Sequence, residues 1–328
     1  MTTSPRRDRG RRALRLAVQI VLTGTVTWFI VDRVGVDLSR LARLDVGAWE
    51  LRWQWIALSV VTLTAGYILS AALWGRMVVE LGGARIPPAR AVRIFLVANL
   101  GRYVPGKVLQ LAGLTVLAAR EGVRPATAAV SAVLGQGVAL LGATLIGLAA
   151  FFAPGSGMRV WGWFGLATVV IFLVLGSLPA ARRILHALWA RFAKRDPQVP
   201  PPVALADPTF VWRWTAYYAL NWALYATAFW LLFIGVVGWT PFLEAGPAFA
   251  AAYVGGYIAL FAPAGLGIRE SLLTVFLTPL VTPERALALA VIARLWTTLV
   301  EVVPALALAP RTLRGLAEVR AAPPETAP

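Results

Sequence analysis

Two clusters of charge stand in stretches that are otherwise apolar. In AVRIFLVANLGRYVPGKVLQLAGLTVLAA, residues 91–119, Arg102 and Lys107 flank a break made by Gly101, Pro105 and Gly106. In YIALFAPAGLGIRE, residues 257–270, Pro263, Gly265 and Gly267 precede Arg269 and Glu270. Proline lacks a backbone donor and disfavours helix in the residue before it, and glycine loosens the chain, so neither stretch continues as a simple helix. An ionised side chain at the centre of a bilayer costs ~3 kcal/mol even on the mildest insertion scale. Freed backbone groups persist at that depth only inside protein or beside water. Cations beside exposed helix ends are suited to holding a phosphate, by charge and by donated hydrogen bonds. Both breaks therefore read as parts of one anion site. The competing reading of Arg102 and Lys107 is snorkelling to the cytoplasmic surface from a shallow hairpin.

Arg294 and Glu301 lie in one later apolar run, seven residues apart. That spacing places them on one helix face about 10 Å from each other. The face is expected to line the same cavity, the alternative being an interhelical bridge such as Arg294 with Glu270. Arg269 and Glu270 are sequence neighbours and point about 100° apart on a helix, so each is expected to meet its own partner. For Glu270, bonding to exposed backbone at the break competes with substrate contact. Tyr103, Gln110 and Gln136 complete the candidate substrate-binding set, with Asn99 beside them; ordinary interhelical hydrogen bonding is the plainer reading of the three amides. No catalytic residue, metal site or cofactor is expected. Asp8, Asp37, Asp45, Asp196 and Asp207 lie outside the apolar runs and Asp32 at the very end of the first, cysteine is absent, and the one histidine, His186, sits in a basic stretch.

What must position these groups is a bundle of membrane helices. The 328 residues are 59% hydrophobic, and the apolar residues form continuous blocks rather than the alternation of a barrel strand. Full spans are expected at 14–34, 53–79, 125–152, 160–180, 212–237 and 284–309, with interrupted segments at 91–119 and 247–280. The net charge of +16 points to topology and away from nucleic acid, because the basic residues crowd beside apolar runs. If the arginine-rich stretches at the N-terminus and at 182–213 share the cytoplasmic side, parity requires the interrupted segments to enter and return as re-entrant hairpins. Both termini are then cytoplasmic in a cytoplasmic (inner) membrane, and residues 35–52 and 238–246 are external. The first apolar block is read as a retained signal-anchor.

Pro105 aligns with Pro263 and Pro125 with Pro283 at one common offset, which also lays 53–79 onto 211–237. The expected fold class is an all-α polytopic membrane protein, an inverted repeat of three spanning helices plus one re-entrant hairpin each. In that plan broken helices meet around a substrate near the midplane. The organisation expected is a first membrane repeat over 1–193 with a basic N-terminus and an interfacial helix at 181–193. A proline-rich cytoplasmic linker follows at 194–208, then a second repeat at 209–309 and a disordered tail at 310–328.

The segments GRYVPGKVLQ (101–110) and PAGLGIRE (263–270), in this order, resemble the paired signatures of the lysylphosphatidylglycerol synthase transmembrane-region family. The resemblance runs over nearly the whole chain, from about 14 to 309. That family includes the flippase half of the multiple peptide resistance factor and the membrane portion of some archaeal dolichol-phosphate glycosyltransferases. It implies lipid translocation, with Arg102, Tyr103, Pro105, Gly106 and Lys107, then Pro263, Gly265, Gly267, Arg269 and Glu270, as central polar elements. Only a short stretch follows the last span in this sequence, so aminoacyl transfer is not expected. The expectation is a non-enzymatic flippase for an anionic phospholipid or a polyprenyl-phosphate-linked lipid. Its partners would be membrane lipids with anionic head groups and a lipid-modifying enzyme. The alternative is a membrane partner of a polyprenyl-phosphate glycosyltransferase, or such an enzyme itself.

Overall fold

The computed structural model describes residues 49–103, 108–192, 202–259, 262 and 265–321. Among them the chain is helical and contains no strand. In order the helices are α1 (Trp53–Glu80), α2 (Pro88–Asn99), α3 (Val108–Arg120), α4 (Pro125–Phe152) and α5 (Arg159–Ser177). They continue with α6 (Pro179–Phe192), α7 (Phe210–Val236), α8 (Phe242–Ile258), α9 (Ile268–Leu277) and α10 (Pro283–Ala321). Short 3-10 turns occupy Leu100–Tyr103 and Val203–Ala206. Among the described residues five helices are long and apolar enough to cross a membrane: α1, α4, α5, α7 and α10 over Pro283–Ala309. They answer to five of the six expected spans. The sixth, at 14–34, lies outside the described residues, as do most of the stretch 35–52 and of the linker 194–208.

Two boundaries differ from the sequence reading. The span expected at 160–180 ends at Ser177, because Leu178 precedes Pro179 and is driven to extended backbone (φ −74°, ψ 151°). Pro179 then opens α6, the helix expected at the interface. At the other end α10 runs on to Ala321, where a disordered tail was expected from 310. The run RTLRGLAEVRA (311–321) is rich in leucine, arginine and alanine, good helix formers that carry the helix onward from its apolar part.

Helix α7 occupies the centre. Most of its membrane-length window is buried, whereas most of that of α5 is exposed. Trp214, Ala226 and Phe229 of α7 have no exposed surface. Apolar side chains gain little by leaving lipid for a helix interface, so close backbone approach at small residues must supply the packing. The molecule uses this device repeatedly. A Cβ on Gly66 of α1 would lie 2.7 Å from Tyr225 Cε1 of α7. One on Gly142 of α4 would lie 2.6 Å from the Ala219 nitrogen of α7, and one on Gly147 2.7 Å from the Ala251 nitrogen of α8. At the rim, Arg213 at the start of α7 pairs with Glu80 at the end of α1 and with Asp207.

The interrupted segments each become a pair of short helices. Helices α2 and α3, about 18 and 20 Å long, fall short of a hydrocarbon core of about 30 Å. They pack side by side, Gly113 against Ala98. Their outer ends meet where Arg90 Nη1 donates to Glu121 Oε2 at 2.8 Å and Arg93 lies 3.9 Å from the same carboxylate. Helices α8 and α9 pack likewise, Gly256 against Gly265 and Arg269. The order long, short, short, long thus occurs twice, over α1–α4 and over α7–α10, and both closing long helices begin at a proline, Pro125 and Pro283.

Candidate functional site

The turns of the two interrupted segments meet in a polar cavity among α1, α4, α7 and α10. A larger chamber adjoins a smaller one. Tyr67, Arg102, Gln110, Tyr253, Arg269 and Thr297 line both.

Backbone features explain why the turns fit here. A Cβ on Gly101 would lie 2.5 Å from the Gln110 nitrogen, so only glycine lets the Leu100–Tyr103 turn fold back against α3. In the second turn Gly265 (φ +70°) and Gly267 (φ +79°) occupy the left-handed region that glycine tolerates best. A Cβ on Gly265 would also meet the Gly256 carbonyl oxygen at 2.8 Å. The Gly267 N–H donates to Glu270 Oε2 at 2.7 Å, closing the start of α9 with an acidic cap. Pro105, Gly106, Lys107 and Pro263, the remaining residues expected to act at the breaks, lie outside the described residues.

Helix α10 brings the charges together. Glu301, 2% exposed, lies 3.3 Å from Arg102 Nη2 and accepts a 3.1 Å hydrogen bond from the Tyr103 hydroxyl. Seven residues earlier Arg294 sets its Nε 3.6 Å from Glu270 Oε1, the interhelical bridge that was the alternative reading of this pair. The Arg294 guanidinium carbon stands 5.9 Å from the centre of the Tyr103 ring, which links the two ion pairs. Both turns and α10 therefore belong to one network. Arg269 points elsewhere, as adjacent positions on a helix must. Its guanidinium carbon is 4.5 Å from the centre of the Phe249 ring and 5.7 Å from that of Tyr253. Among the described residues no carboxylate lies within 4 Å of it.

The amides divide. Gln110 Nε2 donates to Asn99 Oδ1 at 2.8 Å, joining α2 to α3, and both residues also line the larger chamber. Gln136 lines that chamber from α4, away from the ion pairs. Several lining residues were not anticipated from sequence, among them Tyr67, Ser70, Asn221, Tyr225 and Tyr253. Asn221 Nδ2 donates to Ser70 Oγ at 2.7 Å, and Ser70 Oγ shares a hydrogen bond with the Tyr225 hydroxyl at 2.9 Å. Asn221 carried a usable signal, an amide in the middle of a long apolar run. Ser70 carried none, since a serine in a membrane helix can satisfy itself on its own backbone.

Chemically, the site sets Arg102, Arg269 and Arg294 in the cavity wall with Glu301, and Glu270 beside Arg294, among the described residues. Each glutamate is held by an arginine, and the surplus positive charge sits on aromatic faces, a setting suited to receiving an anion. A comparison with curated proteins finds no match. The family model for the lysylphosphatidylglycerol synthase TM region matches residues 16–305, a stretch that contains both turns and α10 up to the charged pair, and the chain belongs to that family.

Proposed function

We propose that this protein carries a lipid with an anionic, phosphate-bearing head group across the membrane through its central cavity, without changing the lipid chemically. The observation that carries the reading is Arg269, a cavity arginine laid over Phe249 and Tyr253 with no carboxylate within 4 Å among the described residues. A phosphate supplies the missing counter-charge and fits the guanidinium fork. Family membership supports a lipid-related role. The pairing of Glu270 and Glu301 with arginines speaks for structural duty of these carboxylates rather than proton transfer.

The recurring element order supports an inverted repeat in which α2–α3 and α8–α9 are re-entrant hairpins entering from opposite sides. On this reading the protein lies in the cytoplasmic membrane with both termini and α6 cytoplasmic. The head group occupies the hairpin tips while the tails remain in the bilayer, so the cost of moving charge through hydrocarbon falls to the protein's arginines. Either source of the anion, a phospholipid or a polyprenyl-phosphate lipid, presents the same phosphate.

Labelled lipids in liposomes containing the purified protein test this. Phosphatidylglycerol should flip several-fold faster than phosphatidylcholine, and Arg269→Gln should remove most of that preference. Equal rates for both lipids, in protein shown to be folded, would overturn the proposal and favour a non-transporting membrane partner of a lipid-modifying enzyme.

A further inference from the structure

Away from the central cavity, a second concave surface lies where α6 crosses one end of the bundle. Helix α6 is amphipathic, and Trp189 fixes how it sits. That side chain is 3% exposed and packs in one cluster with Met77 and Leu81 at the end of α1, Val130 of α4, Phe210 and Trp214 of α7, and Leu205 of the Val203–Ala206 turn. Leu205 has no exposed surface, so the turn and α6 are held against the same core. Pro179, Arg183 and His186 follow one another at helical spacing and share one face of α6, about 60–120° round the helix from Trp189. Together with Ala206 of the turn they line a cleft that shares no residue with the central cavity.

The charge of this cleft is unbalanced. Among the described residues no carboxylate lies within 4 Å of Arg183 or His186. Asp207, next to Ala206, is already engaged: its Oδ1 accepts from the Thr209 N–H at 2.8 Å and from the Thr209 hydroxyl at 2.7 Å, and its Oδ2 accepts from Arg213 Nη1 at 2.9 Å. Glu80 pairs with the same arginine. A guanidinium presents a fork of N–H donors that matches two phosphate oxygens, and an imidazole one turn away adds at least one more N–H. Pro179 stands in the first turn of α6, so the cleft also lies at the positive end of the helix dipole. The surroundings point to a lipid as the source of that phosphate. Only Leu178 separates α6 from the membrane-length helix α5, which sets the cleft at the edge of the hydrocarbon. Leu178 and Ile184 are 42% and 67% exposed, and Ile184 is the sequence neighbour of Arg183. Trp212 donates its Nε1 to Ser177 Oγ at 2.6 Å at the end of α5, the posture of an aromatic anchor at the boundary between membrane and water. Exposed aliphatic side chains beside cations suit a molecule with phosphate at one end and hydrocarbon at the other.

We infer that the cleft between α6 and the Val203–Ala206 turn is a peripheral binding site for an anionic phospholipid, with the lipid phosphate between Arg183 and His186 and the tails passing Leu178 and Ile184 into the bilayer. The bound lipid is not the transported one; it ties α6 to the membrane surface. The site uses none of the cavity residues, so it stands whether or not the central cavity carries lipid.

His186 is the only histidine of the chain, so protein isotope-labelled at its imidazole nitrogens, with any affinity tag removed, gives a solid-state NMR signal from this cleft alone. Dipolar dephasing of that signal by phosphorus is compared in bilayers of phosphatidylcholine, of phosphatidylcholine mixed with phosphatidylglycerol, and of phosphatidylcholine with inorganic phosphate added. Phosphatidylglycerol should raise the dephasing several-fold over phosphatidylcholine alone, in line with an affinity gain of about fivefold for each cation that meets an anionic head group. Inorganic phosphate should add nothing. Arg183→Gln should return the phosphatidylglycerol value towards that of phosphatidylcholine, whereas Arg191→Gln, which removes the same charge from an exposed position of α6 outside the cleft, should leave it unchanged. Equal dephasing in the two lipid bilayers would overturn the inference whatever the variants do. An equal loss in both variants would reduce the effect to diffuse attraction between a basic helix and an anionic surface, and overturn the site. Dephasing by inorganic phosphate as strong as by phosphatidylglycerol would replace the lipid by a soluble phosphate and overturn the assignment of the ligand.

Discussion

At the residue scale the cavity is a set of buried charges whose partners decide their cost. Glu301 has almost no exposed surface and relies on Arg102 and Tyr103. Replacing Arg102 by Ala leaves that carboxylate without its cation, and a loss of ~3–5 kcal/mol is expected, whereas Arg102→Gln with Glu301→Gln should recover part of it. The Arg294 and Glu270 pair should behave in the same way. Coupling within each pair should exceed coupling between Arg294 and Glu301, which share a helix face yet have different partners. Urea unfolding of the single and double variants measures these terms, and strictly additive losses within a pair would show that the pair is not energetically joined. The seven-residue spacing already put Arg294 and Glu301 on one face, because helix periodicity is local. Which carboxylate each arginine meets was not legible, because the partners lie far apart in the chain and meet only after folding.

At the element scale, glycine marks where helices can approach. Helix α4 offers a comparison within one element: a Cβ on Gly142 would meet backbone of α7 at 2.6 Å, whereas one on Gly137 would meet nothing within 4 Å. Gly142→Leu should therefore lower stability by at least ~1–3 kcal/mol through overpacking. Gly137→Ala should be neutral or raise stability by up to ~1 kcal/mol through helix propensity. Melting in detergent compares the two, and equal effects would mean that α4 does not approach α7 this closely. Five apolar spans were readable from length and hydropathy alone, and the two breaks from proline and glycine. Their ends were less so. Leu178 and Pro179 stop α5 for a stereochemical reason visible in the sequence, but an apolar run extending to 180 concealed it.

At the scale of the whole molecule the proposed topology sets sides for the connecting segments. The chain has no cysteine, so single cysteines can be introduced and labelled with an impermeant maleimide. Cysteine in place of exposed Ala190 in α6 should react only from the cytoplasmic face, and cysteine in place of exposed Leu243 at the start of α8 only from outside. Labelling of position 190 in intact cells would contradict the hairpin topology. Composition and continuous apolar runs determined by themselves that this is a helical membrane protein, and the two charged, broken segments marked where its site would be. Those properties are local: an apolar run needs a bilayer whatever its neighbours are, and proline beside glycine and arginine interrupts a helix in any context. Tertiary structure alone decided that Arg102 answers Glu301, that Arg294 answers Glu270, and that Arg269 is left over aromatic rings. It alone set Asn221 against Ser70 and Asn99 against Gln110, since donors and acceptors on separate helices are matched by packing distance, which no spacing within one segment encodes.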